Sequence, residues 1–185
     1  MIIIYQKLIV VLAKVLVIGL FLAAQSIPAQ TSPTNQQQLN QLFDQLKSAP
    51  NQQIAITYEN QIWQLWFQSG NREIDDLMQQ AMQRRRVYDF NGSIELLNQI
   101  IELNPDYSEG WNQRATMRFY QEKYAEALED IAKTLELEPR HFGALAGRAI
   151  IRLKQFKPVI ARKNIDEALK LHPYLKERSY FPDLL

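Results

Sequence analysis

Cysteine is absent from the 185 residues, so disulfides, thiolate metal sites and a cysteine nucleophile are excluded together. An excess of charge of either sign is also missing: 21 Lys and Arg face 20 Asp and Glu, a formal net charge of +1. Nucleic-acid binders carry a basic excess on one face, so no nucleic-acid partner is expected. Nor does the overall balance give a polybasic reason to sit on an anionic membrane. Histidine is scarce, with only His141 and His172, and no His-Glu-x-x-His or similar ligand spacing occurs. Both are expected to be surface or turn residues, and no metal is expected. A Gly-rich phosphate loop and a Ser-centred elbow are missing too. The acids Glu126, Glu129 and Asp130 lie on one helix near Lys123 and Lys133, where ordinary ion pairing accounts for them. The chain is therefore expected to be no enzyme, with no cofactor and no small-molecule substrate.

What is present divides into unlike parts. Met1 to Lys14 carries Lys7 and Lys14 and no acid, Val15 to Ala24 is an unbroken apolar run, and Gln25-Ser26-Ile27-Pro28-Ala29 follows. This is the order of a secretory signal, so residues 1–29 read as a signal peptide cut after Ser26 or, preferably, Ala29. A periplasmic or secreted location follows. The competing reading is an uncleaved inner-membrane anchor through residues 2–24. It would place Lys14 near the bilayer centre at a cost of about 2.5–3.5 kcal/mol. Membrane contact is expected only in that anchored form.

Residues 30–38 are rich in Gln, Ser, Thr and Pro and read as a flexible leader. Leu39, Leu42, Phe43 and Leu46 then mark one buried helix face by their i, i+3, i+4, i+7 spacing. Ser48-Ala49-Pro50-Asn51 breaks that helix and caps the next, whose stripe runs through Ile54, Tyr58, Ile62, Leu65 and Trp66 to Ser69-Gly70. Residues 39–70 thus read as a helical hairpin. It is expected to cap the first of the units that follow, burying Trp63, Trp66 and Phe67.

From Ile74 the chain copies itself. Pro105, Pro139 and Pro173 are 34 residues apart, and the same step aligns Ala81, Ala115 and Ala149. It aligns Leu77 with Trp111 and Leu145, Ser93 with Ala127 and Ala161, and Leu97 with Ile131 and Ile165. A fixed period of this size means one supersecondary unit copied and stacked. Each copy reads as two helices, with small residues where their backbones approach and a closing Pro.

These residues resemble the tetratricopeptide repeat, whose 34-residue unit combines Trp-x3-small, an aromatic, Ala-x3-apolar and a final Pro. Trp111, Ala115, Tyr124, Ala127, Ile131 and Pro139 carry the match in the second unit. The resemblance implies an all-α, right-handed superhelical array with repeats at 74–107, 108–141 and 142–175. Residues 176–185 form a tail, in which Tyr180, Phe181, Leu184 and Leu185 join Tyr174 and Leu175 as material for a partial cap. Arginine replaces the usual aromatic of the first helix at Arg84, Arg118 and Arg152, which are expected to form a ladder on acids of neighbouring second helices.

In this family the first helices line a concave groove. Carried onto this chain, the tentative peptide-binding residues are Met78, Met82 and Arg85, then Asn112, Thr116, Phe119 and Tyr120, then Ile150 and Lys154. Met78 and Met82 stand where the family's carboxylate clamp has a Lys/Asn pair, so that clamp is not expected. Met adapts to irregular apolar partners, the two aromatics offer rigid contact area, and Asn112 can bond a peptide backbone. The implied role is a protein–protein interaction scaffold holding a peptide or helix of another protein. The rival role is a structural envelope protein that self-assembles through the C-terminal end of the array, and the groove could instead be filled by the chain's own tail.

Overall fold

The computed structural model describes residues 34–181; the expected signal segment 1–29 and the last four residues lie outside the described residues. Among the described residues there are eight α-helices and no strand: α1 (Asn35–Lys47), α2 (Gln52–Phe67), α3 (Arg72–Arg86), α4 (Phe90–Leu103), α5 (Ser108–Tyr120), α6 (Tyr124–Leu137), α7 (Phe142–Lys154) and α8 (Pro158–Leu171). A 3-10 turn, Lys176–Tyr180, follows.

Local chemistry sets most helix ends. Thr34 and Gln37 form a reciprocal capping box, which starts α1 at Asn35, inside the stretch whose composition reads as a leader. Asn51, Asn71 and Asp89 cap α2, α3 and α4 by accepting backbone N–H groups. In α3, Glu73 and Asp75 sit in the first turn and Arg84, Arg85 and Arg86 in the last, matching the helix dipole at both ends. Pro158 opens α8, where its missing N–H costs nothing.

The turns inside the repeats are the same structure three times. Tyr88, Glu122 and Phe156, 34 residues apart, have φ of 60°, 59° and 57°. Around each, the next residue's N–H reaches back five residues, as in Asp89 to Arg84, Lys123 to Arg118 and Lys157 to Arg152. These are Schellman closures, which glycine fills most easily. Here bulky residues hold the left-handed conformation.

Packing inside each unit follows the small residues. Ala81, Ala115, Ala127, Ala149 and Ala161 are buried, and Ser93 hides its hydroxyl by donating to the Ala81 carbonyl at 3.0 Å. Leu97, Ile131 and Ile165 fill the space beside them.

Arg118 does pair with an acid, at 2.7 Å from Asp130, which Arg114 also grips at 2.7 Å. Asp130 is thus buried between two arginines, not a surface acid facing lysines. The expected ladder does not extend further. Arg84 reaches only Asp89 in its own turn, and Arg152 reaches Gln155. One period away from Asp130 stand Leu96 and Asn164, so units one and three lack the acid a ladder needs.

The hairpin α1–α2 does not stack on the first unit. Its buried face, Leu39, Leu42, Phe43, Leu46, Ala55, Ile62 and Trp66, shares one apolar cluster with Phe142, Leu145, Ala146, Ala149, Ala161, Ile165 and Ala168 of the third unit. Among the described residues of the hairpin, Phe67 is the one that packs on the first unit's cluster of Ile74, Met78 and Leu97. The hairpin is a strap laid along the array, not a cap on its end.

Candidate functional site

The strap runs along the corners where one unit passes to the next, and each corner supplies a fastening. Tyr107 Oη donates to the Phe67 carbonyl at 3.1 Å, and burial keeps this phenol protonated by raising its pKa. One period later, His141 stacks on Trp66 with ring centroids 4.1 Å apart and planes 8° from parallel. Trp63 meets the Phe142 ring edge-on at 5.5 Å. At the last corner His172 Nε2 lies 3.1 Å from Glu59 Oε2. That hydrogen bond is the main reason the Glu59 carboxyl titrates below its ordinary range; burial opposes it, and the His172 charge, Trp63 and Lys176 add to it.

Both histidines sit at turns, as expected, but both are buried and neither is a surface residue. His141 Nδ1 accepts the Ala144 N–H as the cap of α7, so Nε2 carries the hydrogen and donates to Glu109 Oε2 at 2.9 Å. Glu109 is fully buried, and the amides of Asn112 and Gln113 donate to it as well. Three donors replace the water that this carboxylate loses. Trp63 fits because Gly143 has no Cβ: a methyl there would lie 2.8 Å from Trp63 Cη2.

With the corners occupied, the inner face between α5 and α7 forms, among the described residues, a trough of about 240 Å³. Six of the residues expected in the groove line it: Arg85, Asn112, Thr116, Phe119, Tyr120 and Ile150. Gly143, Ala144 and Gly147 give it a floor with few side-chain atoms, and Lys176 and Glu177 of the 3-10 turn form its far wall.

The remaining three expected residues lie elsewhere. Met78 is buried in the first unit's core, and Lys154 is exposed away from the trough. Met82 lines a neighbouring depression of about 650 Å³ with Phe67, Arg86, Tyr88 and Phe90; Arg85 and Tyr120 border both hollows. Asn112 is not the free amide the sequence suggests. One of its two amide hydrogens is committed to Glu109, which leaves the other and the side-chain oxygen for a ligand. Thr116 likewise donates to the Asn112 carbonyl. The wall is stiffened by Phe90 stacked on Tyr120 at 5.1 Å and by the Arg85 guanidinium 5.8 Å from the Tyr120 ring centre.

Sequence reasoning missed Lys176, Glu177 and the strap. Of the residues expected to build a partial cap, Leu175 and Phe181 are buried in the cluster beneath the strap and Tyr180 is exposed, while Leu184 and Leu185 lie outside the described residues. Among the described residues no group of three metal-ligating side chains is gathered, and no helix is long and apolar enough to cross a membrane.

No family model matches the chain. A TPR repeat-containing protein of Rhizobium etli is 36% identical over 107 residues, covering 58% of this chain and 52% of that protein. The DnaJ protein P58IPK homolog A of Oryza sativa subsp. japonica is 29% identical over 84 residues, covering 45% of this chain and 18% of that protein. The chain thus spans about half, or less, of the curated relatives it matches. Among solved structures, the first TPR of Spaghetti bound to an HSP90 peptide superposes with a TM-score of 0.57 at 19% identity, covering 60% of this chain and 89% of that one. The TPR2AB–HSP90 complex of yeast Sti1 gives 0.54 at 15% identity, covering 81% of this chain and 60% of that one. MamA gives 0.50 at 14%, covering 80% and 91%. At these identities the likeness shows the fold, which is that of a TPR-type helical solenoid. The Rhizobium relative, named for the same repeat, supports the resemblance carried by the 34-residue register.

Proposed function

We propose that this chain is an exported, non-catalytic scaffold that holds a peptide or helix of another protein in the trough between α5 and α7. The observation that carries the reading is convergence: Arg85, Asn112, Thr116, Phe119, Tyr120 and Ile150, drawn from three helices, line one concavity. The Spaghetti and Sti1 domains of the same fold were solved with HSP90 peptides or HSP90. The acidic-ended peptide of the Spaghetti complex is not carried over, because Met78 and Met82 replace the clamp's polar pair and Arg85 is the one cation from the first helices at the trough. Rigid aromatics beside a side-chain-poor floor favour an apolar or aromatic segment lying close to α7. The strap adds to this by fixing the spacing of the repeats before a ligand arrives, which lowers the ordering cost of binding. Export rests on the order of charge, apolar run and small residues in residues 1–29.

The test is selection from a displayed peptide library on the full chain, followed by affinity measurement of the selected sequence. Tyr120→Ala with Ile150→Glu, both partly exposed positions, is expected to abolish binding with helicity unchanged. Retained affinity in that variant would move the site elsewhere.

A further inference from the structure

A second surface lies at the turn of the third unit, outside the trough. Phe156 is 92% exposed, Val159 83% and Ile160 47%. Phe156 also holds a φ of 57°, a conformation disfavoured for a bulky residue, without burying its ring against the fold. The repeat supplies its own comparison. In the second unit the same three positions are Glu122, Ala125 and Glu126, all exposed, on the same backbone turn. Neither the turn nor the packing therefore asks for apolar residues here.

Charge changes with them. Residues 154–163 contain Lys154, Lys157, Arg162 and Lys163 and no acid, whereas 120–129 contain Lys123 against Glu122, Glu126 and Glu129. Arg162 is partnered by Asp166 at 3.0 Å, and the three lysines are exposed. The near-zero net charge of the whole chain averages this local basic patch away.

We propose that this tip docks on an anionic lipid bilayer surface, Phe156, Val159 and Ile160 entering the interface and Lys154, Lys157 and Lys163 meeting the headgroups. An apolar protrusion ringed by long cationic side chains is the arrangement such interfaces accept, the lysine stems lying along apolar surface with their ends in the headgroups. A second copy of the chain is a poorer occupant, because three side chains on a convex turn fall well short of the ~800 Å² per partner of a stable interface.

The absence of cysteine makes a site-specific test direct. Val159→Cys in the full chain, carrying an environment-sensitive dye, is mixed with phosphatidylcholine vesicles with and without phosphatidylglycerol. A blue shift with anionic vesicles, reversed by salt and roughly tenfold weaker on neutral ones, is expected. The same dye on Ala132→Cys, exposed on α6, is expected not to shift, which separates tip contact from attachment through residues 2–24. Adding Phe156→Glu, Ile160→Glu and Lys163→Glu, the residues the second unit carries there, removes the shift while circular dichroism stays unchanged. The proposal is overturned by an unshifted dye, by equal shifts on neutral vesicles or in the Glu variant, or by a shift without lipid that grows with protein concentration. The last result would assign the tip to self-association.

Discussion

Replacing His141 by Ala removes three things at once, and their sum decides whether the strap is a structural part of the array. The cap on Ala144 N–H is worth about 1 kcal/mol. The parallel stack on Trp66 and the edge contact with Trp63 add about 1 kcal/mol beyond burial. The bond to Glu109 weighs most, because the carboxylate stays buried with one donor fewer, at about 1.5–3 kcal/mol. Neighbouring effects overlap, so the expected loss is about 4 kcal/mol rather than the full sum. With a urea slope of about 2 kcal/mol/M for a chain of this size, the midpoint falls by about 2 M. Urea titration followed by tryptophan fluorescence and by far-ultraviolet circular dichroism reads this. In the wild type the two probes coincide; in the variant fluorescence changes first, since Trp63 and Trp66 are both on the strap. His141→Asn, which keeps a good capping side chain, recovers about 1 kcal/mol. A midpoint shift under about 0.5 M, or coincident probes in the variant, would refute the reasoning.

Other perturbations test other parts of the account. Glu59 titrates below its usual value of 4.5 in the fold, so its contribution is full above that value and fades as pH falls through the lowered pKa. Strap release monitored by tryptophan fluorescence should therefore begin below pH 4.5, and Glu59→Gln should flatten that acid limb. Gly147→Ala meets only ordinary contact, with Ile131 Cδ1 3.6 Å away, and gains about 0.5–1 kcal/mol as a helix-interior glycine replaced. Its methyl enters the trough, so peptide affinity falls as stability rises. Gly143→Ala behaves oppositely, driving a methyl against the Trp63 ring and losing roughly 1–3 kcal/mol in chemical denaturation. Glu122→Gly relieves a left-handed backbone in the second unit and raises the midpoint by the equivalent of about 1 kcal/mol. A fall instead would mean that the Glu122 side chain supports the turn.

Much of the fold is legible in the sequence because a repeat is its own alignment. The step of 34 residues from Pro105 to Pro139 to Pro173 places six helices, and the alanines at 81, 115 and 149 say where they touch. The placement of the hairpin is not legible in the same way. The stripe through Leu39, Leu42, Phe43 and Leu46 says that a face is buried but not against what, and its partners lie about 100 residues on, as in Arg140 bonded to Asn40. Two signals were available. Gly143 stands where the first two units carry Asp75 and Glu109, leaving room for a large ring. Tyr107, His141 and Leu175 recur at one repeat position, and all three are buried. The arginine ladder misled because the cations repeat while their acid, Asp130, does not. In the candidate site, the register located the trough residues, whereas the burial of Glu109, which draws on Asn112, Gln113 and His141 of the next unit, leaves no periodic signal in the sequence.

The measurement that bears most directly on the scaffold reading is hydrogen–deuterium exchange of the full chain with and without a peptide selected against it. Slower exchange confined to α5 and α7, from Asn112 to Tyr120 and from Gly143 to Ile150, is the predicted result. Protection confined to α4 and α6, or no change at saturating peptide, would contradict it.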